Sequence, residues 1–194
     1  MRFNPVLFLR RPRRLLQRPL NKLALVLGLC LCATQITAEG VIFREYDIKA
    51  AYLYNFIKYV EWPSQGLPDR SETITIGLLG ENPFGPVIHS LNGKMAKGGK
   101  VTVKENVSLA ELTSCQVVFV GPSEKDRMPE ILDQLKNIKV LTVSEIEGFA
   151  ARGGMINFVP EKNKVRFEIN ADAARRTGFS ISSELMKLAR VVKP

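Results

Sequence analysis

QVVFVGPSEKDRMPEILDQL, residues 116–135, joins a short run that is apolar at every position to a stretch with helical spacing. Val117 to Val120 offer no polar side chain to either side, so a strand built from them belongs inside a sheet covered on both faces. Gly121 ends the run, Pro122-Ser123 opens a helix, and Met128, Ile131, Leu132 and Leu135 recur on one helical face. A buried strand followed by a returning helix predicts a parallel sheet.

The same grammar extends in both directions. Upstream, Thr73–Leu79 (TITIGLL) is a second central strand. Gly80-Glu81-Asn82-Pro83 follows, with Asn82 placed to cap and Pro83 at the first helical position before Phe84, Val87, Ile88 and Leu91. Lys100–Lys104 (KVTVK) alternates like an edge strand whose lysines resist pairing with other chains. Val107–Leu112 reads as a helical turn. Downstream, Val140–Val143 is a third buried strand, and Ser144 with Glu147 has the spacing of a capping box. Met155–Val159 and Val165–Ile169 then form a hairpin around the turn at 160–164. Asn170 caps Ala171–Arg176, and Ile181, Leu185, Leu188 and Val192 predict a last helix. The order α-β-α-β-α-β-α-β-α-β-β-α-α predicts one α/β domain: an open, mostly parallel sheet, helices on both faces, and an antiparallel hairpin at one edge.

The helix at the head of this order, residues 46–63 (YDIKAAYLYNFIKYVEWP), holds every tyrosine and the single tryptophan of the chain. At 100° per residue, Ile48, Tyr52, Leu53, Phe56, Ile57, Tyr59 and Val60 fill an arc of about 180°, broken by Lys49. Trp62-Pro63 stops the helix. Tyr54 and Trp62 fall among the polar residues, where a large ring either packs locally or meets a partner, so both are candidate partner contacts.

Residues 1–38 read as a signal peptide. Seven basic residues and no acid precede the apolar run Leu23–Ala33, and Ile36-Thr37-Ala38 offers a cleavage site before Glu39. Eleven apolar residues fall short of the roughly 20 that a spanning helix needs. The domain is then 39–194, with 21 Lys and Arg against 19 Asp and Glu, so the formal +9 of the whole chain belongs to the leader and gives no support to nucleic-acid binding. Cys30 and Cys32 leave with it. Cys115 stands alone, unable to form an internal disulfide, at the head of a buried-looking strand.

Catalytic patterns are missing from the sequence. His89 has no second histidine or cysteine at metal-ligand spacing, and no Gly-x-Ser-x-Gly elbow occurs. Gly80–Gly85 imitates a phosphate loop without its Lys-Ser/Thr. No enzyme activity, cofactor or metal is therefore expected. Ligands of open α/β sheets bind at the carboxyl ends of the strands, which makes Gly80, Glu81, Asn82, Gly121, Ser123 and Ser144 the candidate ligand-binding set. Helix-start N–H groups there can hold an anion; ordinary capped turns are the competing reading. Arg175-Arg176 and the lysines at 94, 97, 100 and 104 can assist an anion or simply be solvated.

The strings KAAYLYNFIKYVEWP (49–63), TIGLLGENPFG (75–85), CQVVFVG (115–121), VLTVSEIEGFAARGGMINFV (140–159) and VRFEIN followed by GFSISSELMKLA resemble the YfiR-like periplasmic regulators. The resemblance implies a small exported α/β domain that dimerises and binds the periplasmic sensor domain of an inner-membrane diguanylate cyclase, lowering cyclic di-GMP. Related domains accompany sensor histidine kinases, which leaves a periplasmic anion or small-molecule receptor reporting to a kinase as the alternative. Some members join a first-strand cysteine to the one opening CQVVFVG; here the TIGLLG strand has Gly77, so Cys115 has a bridge open to it only between molecules.

Overall fold

The computed structural model describes residues 38–63, 73–161 and 164–192. The expected leader lies outside them except for Ala38, as does the loop at 67–71. Helix α1 spans Ala38–Tyr59 and runs into the two-residue strand β1 (Val60–Glu61). Seven strands follow in chain order before the last two helices: β2 (Thr73–Leu79), β3 (Met95–Ala96), β4 (Gly99–Lys104), β5 (Val117–Val120), β6 (Leu141–Ser144), β7 (Ile156–Glu161) and β8 (Lys164–Ile169). Helix α2 is Met128–Leu135 and α3 is Ala171–Arg176; β9 (Ser180–Ile181), α4 (Ser183–Leu188) and β10 (Arg190–Val191) complete the described chain.

Eight strands make the main sheet in the order β10-β8-β7-β6-β5-β2-β4-β3. The pairs β4/β2, β2/β5, β5/β6 and β6/β7 are parallel, whereas β7/β8 is the antiparallel hairpin. This is the predicted α/β architecture. After β2 the chain first adds β4 on one side and then β5 on the other, so the direction of winding reverses between β2 and β5, which is the topological switch point.

Alternation along the strands supplies two cores. Ile76, Leu78, Phe119, Val143, Phe158 and Phe167 face α1 and its buried Leu53, Phe56 and Ile57. Val118 and Val120 point the other way, to Met128, Ile131 and Leu135 of α2. The α1 side is strongly aromatic: Phe56 meets Phe167 edge-on at 5.1 Å and Phe158 at 5.6 Å, contacts worth about 0.5–1.5 kcal/mol each beyond their buried area.

Five expectations change in detail. The arc of α1 is rotated: Lys49 is buried, while Ile48 and Tyr59 face outward. Residues 145–154 form successive turns in place of a helix, because Ser144 is the last residue of β6, its hydroxyl donating to Val120 O and accepting from Ile146 N. Gly85–Leu91 is a 3-10 helix with Asn82 outside it, Asn82 Oδ1 accepting from the Phe84 amide. The last helix stops at Leu188, and Arg190–Val191 pairs with Glu168–Ile169, satisfying the backbone of what would otherwise be a bare edge. At the opposite edge Met95–Ala96 covers Gly99–Lys104, so the lysine-bearing strand is second from the edge.

Candidate functional site

The carboxyl ends of β2 and β5 converge as the switch point requires, and the chain fills the crevice itself. The Gly121 amide donates to Leu79 O at 2.9 Å, and the Glu81 amide donates to Ser123 Oγ at 2.9 Å. Gly80 sits at φ +86°, and a Cβ there would lie 2.4 Å from Ser123 Oγ; a Cβ on Gly121 would lie 2.8 Å from Glu81 O. Gly80, Glu81, Gly121 and Ser123 are thus brought together, bonded to one another. Asn82 turns back on its own loop, with Nδ2 donating to Gly85 O, and Ser144 is fully buried beneath. A shallow groove of about 470 Å³ beside Gly80 includes Glu124 and Arg127, but Arg127 is bonded to Glu124 and Glu130.

The neighbouring strand end, β6, is closed from α1. Lys49 Nζ is hydrogen-bonded to Glu145 Oε2 and lies 2.6 Å from Glu45 Oε1, and Tyr46 OH donates to Glu145 Oε1 at 3.0 Å. Lys49 also sits 4.5 Å from the centroid of the Tyr46 ring, which meets Phe84 edge-on at 5.4 Å. Burial first, and then the charge of Glu145, push the Tyr46 phenol well above its ordinary value, so it stays a donor. Sequence reasoning passed over this cluster by treating Lys49 as a break in an apolar arc. The available signal was a lysine inside that arc with Glu45 one turn before it, which buries a charge unless an acid meets it.

The two aromatic contact candidates differ. Tyr54 is half-buried; its hydroxyl donates to Met95 O at 2.8 Å, and Lys58 and Lys94 lie 5.6 and 5.8 Å from its ring. Trp62 packs edge-on against Phe179 at 5.2 Å and donates from Nε1 to Ile57 O at 3.2 Å. The outer face of α1 adds Ile48 and Tyr59, exposed at 47% and 44%, three turns apart on one side.

His89 pairs with Glu105 at 2.6 Å on the surface, and no group of three metal-ligating side chains occurs among the described residues. Cys115 is buried at 2% exposure, and burial pushes its thiol up. A bridge between molecules is therefore closed to it in the folded chain. A Cβ on Gly77 would lie 2.7 Å from Cys115 Sγ, so glycine is what lets the thiol pack against β2.

These features define a doubly wound α/β domain with a long N-terminal helix across one face and a strand-end crevice closed by its own side chains. Residues 46–190 match the family described as YfiR/HmsC-like, and the chain belongs to that family. Among solved structures it is similar to the ABC domain in complex with L-Trp from Streptococcus pneumonia, at 13% identity and TM-score 0.44 over 62% of this chain and 55% of that one. It is also similar to a conserved domain protein from Vibrio cholerae O1 biovar El Tor, at 10% identity and TM-score 0.48 over 74% and 60%. The chain thus spans little more than half the length of either. Among the described residues no helix is long and apolar enough to cross a membrane.

Proposed function

We propose that this protein is a periplasmic regulator that binds the sensor domain of an inner-membrane diguanylate cyclase and restrains it, lowering cyclic di-GMP, and that it does so as a homodimer exported by residues 1–38. The observation that carries this reading is the family match over residues 46–190. The surface that fits a protein partner is the outer side of α1, where Ile48 and Tyr59 are exposed and Tyr54 stands between Lys58 and Lys94. Tyrosine is among the residue types enriched at contact hot spots, and this helix offers Tyr54 and Tyr59. Trp62 borders the surface, but its ring already serves the fold through Phe179. The receptor alternative draws no support from the strand ends, because the Glu81 and Gly121 amides are already bonded within the chain.

The test is intracellular cyclic di-GMP in a deletion strain carrying either the full chain or a form lacking residues 1–38. The expected result is a rise on deletion, reversed by the full chain alone. No change on deletion, or equal reversal by the form without residues 1–38, contradicts the proposal.

A further inference from the structure

The α2 side of the sheet carries open hollows, one of about 570 Å³ bordered by Lys125, Asp126, Glu147 and Arg152. Between α2, the turns at 149–154 and α3 lies a groove of about 410 Å³, to which Arg152 and Arg176 both contribute. It is joined through Lys136 and Arg176 to a second hollow of about 440 Å³ that includes Arg175. Lys136 and Arg175 are each held by an acid one turn away, Asp133 and Asp172. Arg152 and Arg176 are exposed and have no such partner among the described residues. Asp133, the acid in the first groove, is engaged by Lys136. Gly153, at φ +113°, also lines this groove, and a Cβ placed on it meets nothing within 4 Å.

Two guanidinium groups line one hollow from separate elements, and an anion within reach of both is attracted by each. Each planar fork matches two oxygens. Two forks therefore call for three or more acceptor oxygens and a charge near two, which a phosphate supplies and a single carboxylate does not. The groove's size falls within the roughly 300–1,000 Å³ of small-ligand sites.

We infer that the groove carrying Arg152 and Arg176 binds a phosphate group, either of a soluble phosphate ester or of a phospholipid headgroup. The inference does not depend on cyclase restraint, and cyclic di-GMP is not its readout. Its test uses purified full-length protein, inorganic pyrophosphate followed by thermal shift and calorimetry, and flotation with phosphatidylglycerol or phosphatidylcholine vesicles. Saturable one-site binding of pyrophosphate that falls at least tenfold in Arg152→Gln/Arg176→Gln, but less than twofold in Arg175→Gln, supports a soluble phosphate. Flotation with phosphatidylglycerol alone, lost in the same double variant, supports the headgroup. Absence of both, or binding that survives the double substitution, overturns the inference. A melting temperature of the double variant within about a degree of wild type shows that any loss is not misfolding.

Discussion

The β2/β5 strand ends and the groove between α2 and α3 have opposite characters. At the carboxyl end, where the winding reverses, Ser123 caps the Glu81 amide, Gly80 and Gly121 let β2 and β5 close on each other, and Lys49 and Tyr46 of α1 engage Glu145. By contrast, α2, α3 and the turns between β6 and β7 leave Arg152 and Arg176 lining an open groove. Topology says where strand ends can splay, whereas side chains decide whether they stay open. Here the switch point is shut by its own loops, and the neighbouring end of β6 serves as the clamp for a helix.

Breaking the clamp should have the largest effect. Lys49→Met leaves the largely buried Glu145 with Tyr46 but without its cation, and loss of one partner of such a pair is worth up to roughly 3–5 kcal/mol; urea unfolding should show a loss toward that range, with α1 amides exchanging faster. A loss under about 1 kcal/mol would mean that α1 is held by its aromatic core alone. Gly121→Ala sets a methyl against Glu81 O and should remove about 1–3 kcal/mol, as overpacked sites do. On the α2 face, Gly77→Ala crowds Cys115 Sγ and Val107 and should fall in the lower part of that same range of about 1–3 kcal/mol. Adding Cys115→Ala should restore much of it, and strict additivity in that double-mutant cycle would contradict the contact.

The smallest effect is in pH dependence. The folded pKa of Tyr46 is raised, so between the unfolded phenol's value of about 10 and the higher folded one the native state holds the extra proton. Stability from this group is complete below that unfolded value and declines as pH rises past it. Tyr46→Phe should therefore flatten the alkaline loss of stability relative to wild type in guanidinium titrations at pH 9–11, an equal slope being the contrary result.

Much of the fold was legible because strand burial writes itself into composition: TITIGLL, QVVFVG and the hairpin at 156–169 were readable from apolar runs and alternation. The 145–154 segment was not, since Ser144 and Glu147 have capping-box spacing, yet the serine hydroxyl is used across the sheet on Val120. A local pattern has no means of registering a partner 24 residues away. The candidate site divided in the same way. Strand-end reasoning puts Gly80, Glu81, Gly121 and Ser123 near one another, but their mutual bonding is a tertiary fact. Ile48 and Tyr59 were assigned inward by an arc that gave Lys49 no weight, and burying Lys49 against Glu145 turns the helix and exposes both.

That rotation exposes the side of α1 proposed to meet the partner, and cyclic di-GMP in living cells tests the proposal most directly. The deletion strain should be complemented with wild type, with Ile48→Asp/Tyr59→Asp, and with Lys97→Gln as a surface control, at matched protein levels and with folding confirmed by circular dichroism. A folded double variant that fails to lower cyclic di-GMP, while wild type and control succeed, is the predicted result. Full lowering by the folded double variant would contradict the account.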